Sequence, residues 1–318
     1  MTLGYKGVRF PGPLGTGPGN TLPGTPGWRI PGPLSFKQVD LSKNATKSTK
    51  TLAMPPPTQG SSSIIRAKAV DWKLAPKTPQ PEDVIQGELA NCPVAAILAA
   101  MAHTSAGRTR IDSMITEFNG GAVKTTFTAD ILKTLAAKTK DDSEYKPPVS
   151  EIASQRYFSV KLGGKEYEVS DVFYVQYSDG NDVNMIYMQS KNEALWPCVI
   201  EKAYASLIGS YQELDDDQKH KVDEFWPALT GGKLQGFAVD KTTDLSKIMD
   251  TAKAAKTVPT IGASRDDAKD VLDHHGFAIL GVNGGKIEMY DPHGEKKTVT
   301  PEVFKKNFQR MYFGNPGA

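Results

Sequence analysis

Every position from Val94 to Met101 is apolar, and most are small: the run reads VAAILAAM. Ala, Leu and Met are strong helix formers, and a helix that is apolar on all sides has no face to turn to water. Such a helix has to lie largely buried, with the rest of the chain packed around it. Asn91 is a good N-cap residue and Pro93 suits a first helical turn, so the helix is expected to begin near Cys92.

The remaining pattern is mixed. Further helices are expected near Ala129–Lys138, Glu193–Leu207, Asp215–Trp226 and Thr243–Ala255. Two short apolar runs, Gly276–Val282 and Lys286–Pro292, read as strands joined by a turn at Asn283, Gly284 and Gly285. Helices first and antiparallel strands later is an α+β pattern. With 318 residues, the chain is long enough for one large or two modest domains.

The first 63 residues differ from the rest. Gly and Pro supply 20 of them, without helical or alternating periodicity, so an extended or disordered arm is expected there. Within it VRFPGPLG (Val8–Gly15) returns loosely as WRIPGPLS (Trp28–Ser35), a pair that suits either a plain linker or a short polyproline II docking element. The arm holds seven Lys or Arg against one acid, a net +6, while the other residues hold 31 against 35, a net −4. A mildly acidic body argues against nucleic-acid binding, which calls for a basic face among folded elements.

No apolar run approaches the length of a membrane span, and the N-terminus lacks the apolar segment of a secretory signal peptide. A cytoplasmic protein, or one exported by a signal-peptide-independent route, is therefore expected. The two cysteines, Cys92 and Cys198, fit neither a disulfide framework nor a zinc pattern and read as free thiols in a reducing compartment. No cofactor motif stands out. NGGK (Asn283–Lys286) is a hairpin turn rather than a phosphate loop, because no Lys-Ser/Thr pair and helix follow it.

A thiol at a helix N-terminus lies at the positive end of the macrodipole, which favours thiolate. Cysteine acyl-transfer chemistry also needs an imidazole, an acceptor to orient it and donors for an oxyanion. The chain supplies candidates for each part. Gln86 lies just upstream of Cys92, His275 opens one strand of the expected hairpin and Asp291 ends the other. Paired strands can bring two such residues face to face.

At these residues the chain resembles the calpain family of cysteine peptidases. QGELANCPVAAILAAMA (Gln86–Ala102) looks like the calpain nucleophile segment, and EALWPCVIEKAYASLIGSY (Glu193–Tyr211) is similar to a second family stretch. ALTGG (Ala228–Gly232), HGFAILGV (His275–Val282) and YDPHGE (Tyr290–Glu295) follow in family order. The resemblance implies a papain-like α+β fold, with a helical lobe at about 64–160 presenting Cys92 and a β-rich lobe at about 161–318 presenting His275 and Asp291 across a cleft. It further implies Cys92 as nucleophile, His275 as general base and acid, Asp291 in the place of the orienting Asn, and Gln86 in the oxyanion hole with the Cys92 backbone N–H. Trp196 and Lys202 become structural. His293 stands where the family carries a Trp, and Pro93 where it carries an aromatic residue.

The implied activity is that of an endopeptidase acting on protein substrates. Two other readings are compatible with the same residues: a glutamine deamidase or transglutaminase acting on a protein side chain, and an inactive binding module. The small size and the basic arm suit an exported bacterial toxin or effector, with residues 1–63 as an export or docking element or as a substrate for self-cleavage. Calpain cores bind calcium, but no recognisable calcium motif occurs here: Asp215, Asp216 and Asp217 lack the Gly and Glu of an EF-hand loop and read as a helix N-terminal acidic cluster. His275, Asp291 and His293 match no known metal spacing. Cys198 reads as a core thiol, and His103, His220 and His274 as surface residues.

Overall fold

The computed structural model describes residues 37–40, 50–58, 65–137, 149–177, 183–215 and 222–317. At its centre lies helix α1 (Cys92–His103), in which every residue from Val94 to Ala102 is buried. The strands before it are β1 (Lys37–Asp40), β2 (Lys50–Ala53) and β3 (Arg66–Ala69). After it come α2 (Ser105–Met114), β4 (Ile115–Thr126), α3 (Ala129–Ala137), β5 (Glu151–Leu162), β6 (Lys165–Ser170), β7 (Val172–Tyr177) and β8 (Val183–Met185). The chain continues through α4 (Trp196–Ile208), α5 (Tyr211–Leu214), α6 (Val222–Thr230), β9 (Gln235–Ala238), α7 (Leu245–Ala254) and β10 (Thr260–Ser264). It closes with β11 (Gly276–Asn283), β12 (Lys286–Asp291), β13 (Glu295–Val299), α8 (Pro301–Asn307) and β14 (Phe308–Phe313).

The described strands form three sheets. A six-stranded sheet runs β13-β12-β11-β10-β14-β9, and every neighbouring pair in it is antiparallel. The second sheet is ordered β1-β4-β5-β6, with β2 also parallel to β4, and the third is β3-β7-β8. The combination is α+β, consistent with a calpain-like peptidase domain.

Strand β11 explains why its sequence is an unbroken apolar run. Ala278 and Leu280 face the core that surrounds α1. Phe277 and Ile279 point the other way, into a second core with Ile248 of α7 and Phe304 of α8. A strand covered on both faces has no polar side to show, so alternation is lost. The β11–β12 turn is Gly284–Gly285, both at positive φ (56° and 76°), between the paired Asn283 and Lys286. Two such residues in succession make the hairpin turn whose twist matches the strands.

Two expectations are corrected. Residues within the 1–63 arm join the body: Lys50–Ala53 pairs in parallel with Val123–Thr126, and Leu52 and Met54 are buried. Leu52 and Met54 stand two apart, as on one strand face, but so short a stretch carries too little alternation to signal it; Leu52 packs with Val123 of β4 and Tyr157 of β5, and Met54 joins the core around α1. Residues 1–36, including the PGPL pair, lie outside the described residues. The stretch expected to be a helical lobe contains β4 and β5, of 12 residues each, and β5 continues through the expected boundary at 160/161. The Asn119-Gly120-Gly121 interruption hid β4, where the register shifts between Asn119 and Val123. Asp215 is the C-cap residue of α5, and its Oδ1 accepts a 2.7 Å hydrogen bond from the Ala90 N–H. Asp216, Asp217 and His220 lie outside the described residues. Among the described residues, no helix is long and apolar enough to cross a membrane.

Candidate active site

Cys92 is the first residue of α1 and is partly exposed, whereas the eight residues that follow Pro93 are at most 1% exposed. Pro93 sets the first turn. Asn91 occupies the N-cap without capping through its side chain, because that amide is used elsewhere: its Nδ2 donates to Glu201 Oε1 at 2.7 Å. Glu201 Oε2 accepts from the Met188 N–H at 2.9 Å. The entry to the Cys92 helix is thus tied to a buried carboxyl on α4. Burial pushes that carboxyl up to about 7, against hydrogen bonds from Met188 and Asn91 that favour its charged form.

His275 stands immediately before β11, and Gly276 carries the contact with α1. A methyl group at Gly276 would lie 3.2 Å from the Cys92 carbonyl oxygen and 3.4 Å from the Ala96 methyl. A side chain here would press strand and helix apart by a few tenths of an ångström, so glycine suits the close approach. The His275 N–H donates to Ser264 Oγ at 2.8 Å, which fixes the backbone from the β10 side.

The imidazole of His275 is bonded through Nε2 to Asp291 Oδ1 at 3.0 Å, with both side chains buried. That leaves Nδ1 as its other ring nitrogen. Asp291 is the last residue of β12 and is 1% exposed. Its Oδ1 also accepts from the His293 N–H at 3.0 Å and faces His293 Nδ1 at 3.1 Å, while Oδ2 accepts from Lys297 Nζ at 2.9 Å. Burial alone would raise this carboxyl, but the bonds from His275, His293 and Lys297 outweigh it and hold Asp291 well below the usual carboxylate range. Burial lowers His275, and the nearby His293 and Lys297 act in the same direction, while Asp291 opposes them. The His293 ring lies parallel to that of His275, 4.8 Å away with 15° between planes.

Gln86 is placed beside this group by its backbone, whose N–H donates to the Pro292 carbonyl at 2.8 Å. Its Nε2 donates to the Leu89 carbonyl at 2.6 Å, and its Oε1 is buried without a hydrogen-bond partner. A primary amide has two N–H groups, so this bond uses one and fixes the plane of the other.

The other sequence readings resolve as follows. Cys198 is buried and bonded to the Met188 carbonyl, and burial pushes its thiol up. His274 is exposed, at φ 45°, and pairs with Asp266. His103 is not a plain surface residue: its Nε2 lies 2.7 Å from the Leu280 carbonyl because the end of α1 packs beneath β11. It lines a cavity of about 390 Å³ with Arg108, Met289 and Lys297 that includes neither Cys92 nor His275. Trp196 donates to Asp83, and Lys202 donates to the Ser170 carbonyl and hydroxyl and the Val172 carbonyl, both as structural ties. Sequence reasoning missed Lys297. The available signal was a basic residue just beyond the β12–β13 turn, on the strand that pairs with Asp291.

Residues 158–297 match the family model of the calpain family cysteine protease, a stretch that carries His275 and Asp291 and begins after Gln86 and Cys92.

Proposed function

We propose that this calpain-like cysteine peptidase core, a hydrolase acting on protein, works as an endopeptidase in which Cys92, His275 and Asp291 form the triad and Gln86 completes an oxyanion hole. The observation that carries the reading is the buried 3.0 Å bond from His275 Nε2 to Asp291, on the residue adjoining the Gly276–Cys92 contact. With Nε2 committed to the carboxylate, Nδ1 is the nitrogen that takes and returns the thiol proton. The papain-like arrangement of two lobes around a cleft belongs to the same reading.

The chemistry follows from these assignments. Helix α1 and the imidazolium favour the thiolate of Cys92. The thiolate attacks the peptide carbonyl carbon, and the oxygen, now negative, takes N–H bonds from the Cys92 backbone and Gln86. The C–N bond then breaks, the amine leaves with the proton from His275, and an acyl-enzyme remains. Water, deprotonated by His275, cleaves the thioester to a carboxylic acid and restores the thiol. Asp291 keeps the imidazole oriented and stabilises its charged form.

The test is incubation of an unfolded protein such as casein with wild type and Cys92→Ala, read by intact mass and new N-termini. Fragments that appear only with wild type support the endopeptidase. A mass increase of about one dalton per site without chain breakage indicates a deamidase instead, and equal fragmentation by Cys92→Ala overturns the nucleophile. Self-cleavage is read in the same spectra from the chain's own N-terminus. An export or docking role for the arm is tested by truncation, which should stop before Lys37 because Lys37–Asp40 and Lys50–Ala53 pair with β4.

A further inference from the structure

We propose that His275, Asp291 and His293 form a site for a transition-metal cation of the Zn²⁺ type, and that filling it switches the peptidase off reversibly. Two imidazoles converge on one oxygen: His275 Nε2 is 3.0 Å and His293 Nδ1 3.1 Å from Asp291 Oδ1. The three ligand atoms lie within 4.8 Å of one another. A cation with bonds of about 2.0–2.2 Å to nitrogen and oxygen needs ligand atoms at about this mutual spacing, so small side-chain movements suffice to close around it.

The surroundings fix the ligand type and the route of entry. Lys297 holds Oδ2 at 2.9 Å, which leaves Oδ1 as a single-oxygen ligand. The side chain of His293 is 45% exposed while those of His275 and Asp291 are buried, so a cation reaches the site from the His293 side. Two imidazoles and one carboxylate suit Zn²⁺ and related ions, with a fourth position left for water. Calcium and magnesium, which take six or more oxygen ligands, do not fit this set. The Lys297 ammonium weakens the site by charge repulsion and keeps the metal exchangeable.

The effect on turnover follows from tautomers and rests on the triad assignment above. A metal on Nε2 of neutral His275 moves the ring's one proton to Nδ1, and a metal on Nδ1 of neutral His293 moves that proton to Nε2. His275 Nδ1 is then an N–H group. It cannot accept the proton of the Cys92 thiol, and its tie to Asp291 is replaced by the metal.

The decisive experiment separates binding from catalysis. Full-length Cys92→Ala, which has no thiol at position 92, is titrated with ZnCl₂ by calorimetry, with CaCl₂ and MgCl₂ as comparators, and the titration is repeated in Cys92→Ala/His293→Phe. Phe keeps a ring against His275 but offers no ligand. One Zn²⁺ site that weakens about tenfold or more with His293→Phe, without equivalent Ca²⁺ or Mg²⁺ binding, is the expected result. In otherwise wild-type chain, Zn²⁺ should block casein cleavage, EDTA should restore it, and His293→Phe should raise the half-inhibitory concentration by a similar factor. Zn²⁺ affinity unchanged by His293→Phe overturns the site and leaves the peptidase reading intact. Binding at the site without loss of turnover overturns the switch, and with it the assignment of His275 as base.

Discussion

Cys92 enters its helix over a largely apolar floor with one buried carboxyl, Glu201, whereas His275 sits among several charges. On the Cys92 side, α1 is packed by small apolar residues, a backbone glycine and the Asn91–Glu201 bond. On the His275 side, one carboxylate gathers two imidazoles, a backbone N–H and a lysine. Packing is indifferent to salt and pH but intolerant of added volume. A charge cluster is the reverse: it tolerates small movements but depends on every member's charge. Cys92 is therefore placed by shape, and His275 by electrostatics.

The sharpest way to break this division is to remove the side chains proposed to react. Cys92→Ala and His275→Ala should each lower casein cleavage by about 10⁵-fold or more, with unchanged circular dichroism. Asp291→Ala should cost about 10³- to 10⁴-fold, because the imidazole loses its orienting acceptor. Gln86→Ala should cost about 10²- to 10³-fold in kcat while Cys92 still reacts with iodoacetamide, separating oxyanion stabilisation from thiol activation. Lys297→Met removes one charged hydrogen bond from Asp291 Oδ2 and should lower kcat by about tenfold with KM unchanged. An equal loss on KM would place Lys297 in substrate binding instead.

The smallest effect sharpens the Cys92 side and is read in stability. The Glu201 carboxyl, ordinarily at 4.5, is raised by burial to about 7. Between those values the unfolded chain releases a proton that the folded chain keeps. Stability therefore falls as pH rises through this window, by up to about 1.4 kcal/mol per pH unit, and levels off above it. Glu201→Gln should flatten that slope in urea titrations at several pH values.

Local features of the site were legible in the sequence because they are set by neighbours in the chain. The α1 start at Cys92, the Gly284–Gly285 turn and the His275–Asp291 pairing all follow from short-range rules. What was hidden depends on distant partners. β2 is a strand through its pairing with β4, and buried Glu201 is tolerated because Asn91 and Met188 bond to it. His293 was visible as a departure from the family pattern, but its bond to Asp291 required the turn after β12 to fold back. Lys297 had no sequence mark of its own beyond its distance from Asp291.

The central claim is that His275 activates Cys92, and alkylation kinetics test it most directly. Native wild type and His275→Ala are treated with iodoacetamide across about pH 5 to 9, with adducts located by peptide mapping. The account predicts one adduct, on Cys92, forming rapidly below the ordinary thiol range in wild type and shifting toward about pH 8.5 in His275→Ala, with buried Cys198 unlabelled. Identical pH profiles for Cys92 in the two proteins would contradict it.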